Sequence, residues 1–171
     1  MNYYNEIKKE LINNEINRKV KNYSINRSDL NTYYNVGKML SDAGKHYGDD
    51  IIGIYAKRLI VDVDKKYNKR TLFRMKQFYN VFKDEKVSLL ATQLSWSNYT
   101  ELLPIKNINE IKYYINICEK LNLTRDELRL RIKSNEYERL PEETKNKLIQ
   151  KEETSITDYV KNPIKIKNTN Y

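Results

Sequence analysis

Apolar residues recur every three or four positions along most of this chain, the spacing that places side chains on one face of an α-helix. Leu30, Tyr33, Tyr34, Gly37 and Leu40 are one such series. The sequence contains only four glycines and three prolines, too few for the many tight turns of a sandwich or barrel. The periodicity and the scarcity of turn residues together predict an all-α fold, a compact domain of about six to eight helices.

The clearest helix start lies in the second half of the chain. Thr124 and Glu127 have the spacing of a capping box, and Leu123 and Leu128 have that of its hydrophobic staple. We expect a helix from here to about Ser134. Pro141, followed by two glutamates, is typical of the start of a last helix.

Other helices are predicted from periodicity alone. We expect a loop where Gly44 and Gly48 bracket His46, and a cap at Asn26 or Ser28 for the helix that precedes it. Gly37 inside that helix costs stability, so we expect another helix to approach it closely. The remaining expected helices cover residues 2–22, 49–66, 70–83, 95–104 and about 108–121.

The chain changes character near its end. From about Glu152 it becomes polar and loses helical periodicity, and "VKNPIKIKNTNY" has the composition of an extended tail. We therefore predict a helical, nucleic-acid-binding-like domain over residues 1–151 and a polar tail or linker over 152–171.

Positive charge is concentrated in one segment. The formal net charge is +9, and residues 65–83 carry seven basic side chains and no acidic one. Removing these seven from the 32 basic residues leaves 25, against 23 acidic ones. A localised patch of this kind can be the electrostatic footprint of a nucleic-acid-binding site. It is equally typical of a solvated helix face that lies beside acidic neighbours.

The predicted helix 70–83 follows helix 49–66 after about four residues, as in a helix-turn-helix-like pair. Leu72, Met75, Phe78, Tyr79 and Phe82 form its apolar side, and Phe73 lies off this stripe. The candidate nucleic-acid contacts divide by side-chain type into readers of base edges and cations that neutralise phosphate. The first group is Arg70, Arg74 and Gln77, and the second is Lys69, Lys76 and Lys83; Asn80 on the flank is a further candidate contact.

Catalytic chemistry is not indicated. The single histidine, His46, cannot build a His-rich metal site, and no glycine-rich phosphate loop is present. Two carboxylate-x-Lys pairs begin at Glu110 and Glu143, but both fall in predicted helices. Cys118 shares an apolar stripe with neighbouring isoleucines, so we expect a buried, unreactive thiol, and we expect Trp96 to be a core anchor. No cofactor and no metal are predicted.

The chain shows no sign of a membrane segment or leader. Its polar N-terminus lacks the apolar run of a signal peptide, and no stretch of about 18 apolar residues occurs. The single cysteine excludes an internal disulfide. These features favour a reduced, cytoplasmic setting.

Five phrases, occurring in order, resemble the N-terminal domain of the YhcG-like family, also called domain of unknown function 1016. They are "YYNVGKML" (33–40), "YAKRLI" (55–60), "LFRMKQFY" (72–79), "LSWSNYTELL" (94–103) and "DELRLRIKSNEYERL" (126–140). The resemblance covers about residues 25–140. Positions that match the family pattern are Gly37, Arg58, Leu72, Arg74, Met75, Phe78, Tyr79, Trp96, Ser97, Tyr99, Leu102, Arg129, Ile132, Tyr137, Arg139 and Leu140.

The resemblance implies a bacterial, helical, helix-turn-helix-like DNA-binding module. In the family this module is usually followed by a PD-(D/E)xK nuclease domain and encoded near restriction or mobile defence loci. The chain departs from the pattern at Tyr34 and Asn98, where the family often has Trp and His, and a Gly-Phe-Ser-type segment is shortened to "YNKRT". "TDYVKNPIKIKN" resembles the lead-in to the nuclease domain, and no catalytic motif follows it. We expect either an excised domain or a stand-alone protein that kept the binding half.

The residues and the resemblance together predict a non-catalytic module, nuclease-associated or stand-alone, that binds DNA, or alternatively RNA, mainly through phosphates. A first alternative is a protein-interaction or dimerisation module in which the same face docks an acidic partner, for example a phage or mobile-element inhibitor of a defence enzyme. A second alternative is one subunit of a split PD-(D/E)xK nuclease.

Overall fold

The computed structural model describes residues 2–20, 25–84 and 94–149. Within these ranges the chain forms eight α-helices and no strand, which confirms the all-α prediction. A short 3-10 turn at Tyr137–Arg139, which the sequence patterns did not predict, precedes the last helix. The α-helices are α1 (Tyr3–Val20), α2 (Ile25–Tyr47), α3 (Asp50–Asp62), α4 (Lys69–Phe82), α5 (Trp96–Leu102), α6 (Ile108–Leu121), α7 (Arg125–Lys133) and α8 (Glu142–Ile149).

The chain divides into two compact units, residues 1–106 and 107–171. The first contains α1 to α5, and the second contains α6 to α8. The predicted domain boundary at 151–152 and the predicted extended tail over 152–171 lie outside the described residues.

The core of the first unit is formed by the apolar stripes of α1 to α4. All five residues of the predicted stripe on α2 are buried, as are the α3 positions from Ile52 to Leu59 that share one face. Burial of such side chains contributes about 25 cal/mol for each Å2 of apolar surface removed from water. The largest members of this core cluster are Tyr3, Tyr4, Ile7, Leu11, Tyr33, Leu40, Ile52, Tyr55, Leu59, Tyr67, Leu72 and Met75, with Trp96 partly buried against it.

Gly37 explains how α2 and α4 come together. A Cβ atom at this position would overlap the Met75 carbonyl oxygen and stand 2.9 Å from the Tyr79 Cβ atom. The missing side chain therefore lets the two backbones approach, as predicted. α4 packs more extensively on α2 than on α3.

Three local predictions in this unit are wrong. Gly44 and His46 lie in the last turns of α2, because the helix continues to Tyr47 before Gly48 takes a left-handed φ of 80°. Residues 26 and 28 lie inside α2 rather than before it. Ile16 is 53% exposed, although the helical spacing of the apolar residues in 2–22 predicts that it shares a face with the buried Ile7 and Leu11.

The connection between α3 and α4 is longer than predicted. α3 ends at Asp62, four residues early, so six residues separate the two helices. Tyr67 in this connection is fully buried, and its hydroxyl donates a hydrogen bond of 2.5 Å to Glu15 on α1. The assignment of α3 and α4 as a DNA-binding helix-turn-helix stays a prediction.

The second unit confirms the capping box. The Thr124 side chain accepts a hydrogen bond from the Glu127 backbone, and the Glu127 carboxylate accepts one from the Thr124 backbone at 2.8 Å. α7 ends with Ser134 as its C-cap, as the pattern predicted. Cys118 is buried on α6, also as predicted.

A polar group joins α6 and α7 to the turn that follows them. The Tyr113 hydroxyl donates to the Glu136 carboxylate at 2.8 Å, and the Arg131 guanidinium binds the same carboxylate at 2.8 and 3.0 Å. Burial and this carboxylate raise the pKa of Tyr113, so the hydroxyl keeps its proton and remains a donor.

None of the helices in the described ranges combines the length and the apolar character that crossing a membrane requires.

Candidate nucleic-acid interface

α4 begins with a well-formed cap and an unusual charge pattern. The Asn68 side chain accepts a hydrogen bond of 3.1 Å from the Thr71 backbone, which fixes the helix start at Lys69. The first turn carries Lys69 and Arg70 and no acidic residue. Cations at a helix N-terminus oppose the helix dipole, which favours negative charge there. The first turn of α4 therefore concentrates positive potential instead of neutralising it.

The inner side of α4 holds the helix in place. Leu72, Met75, Phe78 and Phe82 are buried. The Phe78 ring meets Trp96 edge-on at 5.3 Å between centroids. A helix held this way can present its opposite side without rearrangement.

The outer side of α4 carries most of the predicted contact residues. Lys69, Arg70, Asn80 and Lys83 are exposed. Phe73 is 37% exposed, and the Lys69 ammonium nitrogen lies 5.8 Å from the centre of its ring. An aromatic ring thus stands among the cations.

Two predicted contact residues are engaged within the protein. The Lys76 ammonium forms an ion pair of 2.5 Å with Asp49, and its side chain is only 17% exposed. The Gln77 amide nitrogen donates a hydrogen bond of 2.7 Å to the Leu103 carbonyl oxygen. These two side chains therefore stabilise the surroundings of α4 and have less freedom to contact a ligand than the sequence pattern suggested.

The remaining members of the basic segment differ in their surroundings. Lys65 is exposed, Arg74 is half-buried, and Lys66 forms an ion pair of 2.5 Å with Glu15. The Asn80 side-chain oxygen accepts a hydrogen bond of 3.4 Å from Ser41. Because Lys66 and Lys76 pair with carboxylates, the cationic surface is narrower than the sequence indicated.

Gly44 has a role here that the sequence pattern did not reveal. A Cβ atom on Gly44 would stand 2.9 Å from the Asp49 carboxylate and 3.3 Å from the Lys76 nitrogen. The absent side chain leaves room for the ion pair over α2. Lys76 and Asp49 are 27 positions apart, so no local pattern could have shown this pairing.

Phe73 is the surface residue that sequence reasoning undervalued. The sequence pattern placed it off the apolar stripe of the helix and assigned it no contact. On a helical wheel it lies between Lys69, Gln77 and Asn80, so it stands in the middle of the outer side. That position could have been found from the spacing i, i+4 and i+7 alone.

The residues considered for catalysis are not brought together. Within the described ranges, no three His, Cys, Asp or Glu side chains are close enough to hold a metal ion. His46 packs its ring 5.9 Å from Tyr3, between centroids. Burial, with a smaller contribution from nearby Glu138, raises the pKa of Glu110. Glu143 is exposed on α8.

Comparison with known families identifies this architecture. The family model of the DUF1016 N-terminal domain matches residues 6–139. The chain belongs to this family. The resemblance inferred from the five sequence phrases is thereby confirmed, and the match includes the whole of α4.

No curated protein and no solved structure matches the chain. Membership of the DUF1016 N-terminal domain family specifies the domain and not an activity. The function of this DUF1016 domain must therefore be argued from its own surface.

Proposed function

We propose that this domain binds DNA through the outer side of α4, mainly by contacts to phosphates. The observation that carries the proposal is the first turn of α4, where Lys69 and Arg70 add to the positive end of the helix dipole. Backbone N–H groups at a helix start also point toward an approaching anion. Basic residues at a helix start oppose the helix dipole and so reduce stability. Their presence here is most simply explained by a ligand of opposite charge.

The contacts have different expected roles. Lys69 and Lys83 are exposed lysines that can neutralise phosphates. Arg70 is exposed and can form two parallel hydrogen bonds to a phosphate or to a guanine edge. Asn80 lies on the same side and can contact an adenine edge, whereas Arg74 is half-buried at the flank.

Salt-dependent binding tests the proposal. Fluorescence anisotropy with a short labelled DNA duplex should show affinity falling linearly on a log–log plot, with a slope of about −0.9 for each phosphate contact. Arg70→Ala and Lys69→Ala should each reduce the slope by about one. Lys9→Ala is the matched control, because Lys9 is an exposed lysine on α1. Its slope should equal that of the wild type.

Two results would contradict the proposal. One is the absence of binding at about 50 mM salt, where electrostatic association is strong. The other is an equal loss of DNA affinity in Lys9→Ala and Arg70→Ala, which would indicate nonspecific attraction of DNA to a basic protein. Stronger binding to an RNA duplex of the same sequence would assign the same surface to RNA.

Phe73 favours a second candidate function, the docking of an acidic protein. A ring at the centre of a surface and surrounded by cations resembles the anchor residues of protein interfaces. Phe73→Ala should then abolish capture of the partner while leaving the salt slope for DNA unchanged. The opposite pattern, loss of DNA affinity alone, would exclude this candidate.

We also propose that the domain does not cleave nucleic acid and acts beside a nuclease domain or without one. Support comes from the separate environments of Glu110 and Glu143, each on its own helix and neither part of a carboxylate cluster in the described residues. Purified protein incubated with DNA and Mg2+ or Mn2+ should leave it intact. Cleavage that Glu110→Gln or Glu143→Gln removes would instead support the split-nuclease alternative.

A further inference from the structure

The outward face of α3 carries two exposed apolar side chains that alternate with charged ones. Asp50, Ile54, Lys57 and Val61 follow the spacing i, i+4, i+7, i+11 and therefore share one face. All four are exposed. Ile54 is 54% and Val61 83% exposed, although both are large and apolar. A regular stripe of this kind marks a surface that another molecule can cover.

Within the described part of the chain, the two charges on the stripe are not paired with each other or with another charge. Neither Asp50 nor Lys57 forms an ion pair there. Asp50 lies in the first turn of α3, where its charge is favourable to the helix dipole. Lys57 lies in the middle of the helix, one charge of the opposite sign.

The order of these residues is self-complementary. The midpoint between Asp50 and Lys57 falls beside Ile54, and each charge lies about 5 Å from it along the helix axis. If the same stripe is laid against itself in the reverse direction, Ile54 meets Ile54 and Lys57 meets Asp50. A partner carrying charge of one sign could satisfy only one of the two.

We propose that two copies of this chain associate through α3, with the helices antiparallel and a two-fold axis beside Ile54. Such an isologous contact uses the same patch on both molecules. The occupant of the exposed stripe is therefore a second copy, held by the central isoleucines and by two symmetric Lys57–Asp50 pairs. The contact is made by α3 residues and not by the predicted DNA contacts of α4, so the inference does not depend on DNA binding.

The ends of the stripe fit the same arrangement. Val61 lies four residues beyond Lys57, about 6 Å along the helix axis, so it extends past Asp50 at the start of α3 in the other copy. Tyr47, which precedes that start, is exposed. Val61 of one copy therefore extends toward the residues that precede α3 in the other copy.

One helix face buries less surface than a standard stable interface, so the association should be weak, with a dissociation constant of about 10–100 µM. Sedimentation equilibrium across this concentration range should show a reversible monomer–dimer equilibrium. A wild-type protein that remains monomeric at about 500 µM overturns the proposal.

Charge exchange tests the register. Asp50→Lys and Lys57→Asp each place like charges opposite one another, so each should raise the dissociation constant at least about tenfold. The double variant carrying both exchanges restores opposite charges in the same antiparallel register and should recover dimerisation. Recovery is specific to this geometry, and its absence, with both single variants folded by circular dichroism, overturns the proposed register.

The apolar part has a matched control. Val61→Glu should abolish the dimer, whereas Ile16→Glu changes an exposed apolar residue on α1 and should leave it intact. Both variants should retain the wild-type thermal unfolding midpoint within a few degrees, since both positions are exposed. If both variants lose the dimer equally, or if neither loses it, α3 is not the interface.

Discussion

The inner and outer sides of α4 differ in how much change they can accept. On the inner side, where α4 faces α2, Gly37 of α2 has no space for a Cβ atom beside Met75 and Tyr79. On the outer side Lys69, Arg70 and Lys83 are exposed and Phe73 is 37% exposed. Close packing makes the inner side sensitive to single atoms, whereas an exposed side chain changes mainly what the surface attracts. The comparison separates the residues that position α4 from the residues that would contact a ligand.

The largest effect is expected at the crossing with α2. Gly37→Ala should destabilise the protein by about 3 kcal/mol or more, because the new carbon meets backbone atoms that cannot move aside. Chemical denaturation would measure the loss. Gly53→Ala is the control, since its nearest neighbours are Lys69 side-chain atoms at 3.8 Å. It should stabilise α3 by about 0.5–1 kcal/mol, and equal losses from both variants would contradict the close approach.

The hydrogen bond of Tyr67 should have the next largest effect. Burial, together with the hydrogen bond to Glu15, raises the pKa of the Tyr67 hydroxyl, which therefore remains a donor. Tyr67→Phe removes that donor and should cost about 1–2 kcal/mol. The control is Tyr47→Phe, at an exposed ring, which should change the free energy of unfolding little. If Tyr67→Phe leaves the free energy of unfolding unchanged, the connection before α4 is held by packing alone.

The cap of α4 should contribute less. Asn68→Ala leaves the Thr71 backbone N–H without its acceptor and should cost about 1 kcal/mol in urea denaturation. Asn31→Ala, on the exposed side of α2, removes an amide that caps nothing. If Asn31→Ala is as costly as Asn68→Ala, capping does not fix the start of α4.

Glu15, which contacts the connection before α4, makes the stability of the protein depend on pH. Burial raises the pKa of Glu15, but the hydrogen bonds from Lys66 and Tyr67 outweigh it, so the pKa lies below its ordinary value of 4.5. A carboxyl with a depressed folded-state pKa stabilises the protein above its unfolded pKa. That contribution is lost as the pH falls through the folded value.

Glu15→Gln should therefore flatten the decline in stability below about pH 4.5, measured by denaturation at successive pH values. Glu6→Gln, at an exposed position of the same helix, is the control and should keep the wild-type decline. A wild-type decline in Glu15→Gln would show that other carboxyls account for acid unfolding.

The smallest effects on stability are expected on the outer side. Arg70→Ala should change the free energy of unfolding by less than about 0.5 kcal/mol, since the side chain is exposed. Lys76→Ala removes a surface ion pair and should cost at most about 1 kcal/mol. A much larger loss from Arg70→Ala would mean that the outer side positions α4 as well, and the distinction between the two sides would fail.

Much of the fold could be predicted because its signals are local. The stripe from Leu30 to Leu40 and the capping box at Thr124 depend on residues three or four positions apart. Errors arose where the chain gave no such signal. Two glycines around His46 indicated a loop, yet the helix passes through Gly44 and ends only before Gly48, since a glycine inside a helix weakens it without ending it.

The candidate site was predicted less well than the fold. Helical spacing placed Arg70 opposite the apolar side, and Arg70 is exposed. It could not show that Lys76 meets Asp49 or that Gln77 meets the Leu103 carbonyl, because the partners are 27 and 26 positions away. Such pairings depend on the path of the chain and not on local spacing.

The sequence by itself determined that the chain forms amphipathic helices and that its excess positive charge lies in one segment. Both follow from the order of neighbouring residues. Only the tertiary structure decided which cations remain exposed, because distant carboxylates from α1 and from the start of α3 reach Lys66 and Lys76. It also decided which helix approaches Gly37 and that Ile54 and Val61 are left uncovered. Helix formation is governed over a few residues, whereas burial and ion pairing are settled when distant segments meet.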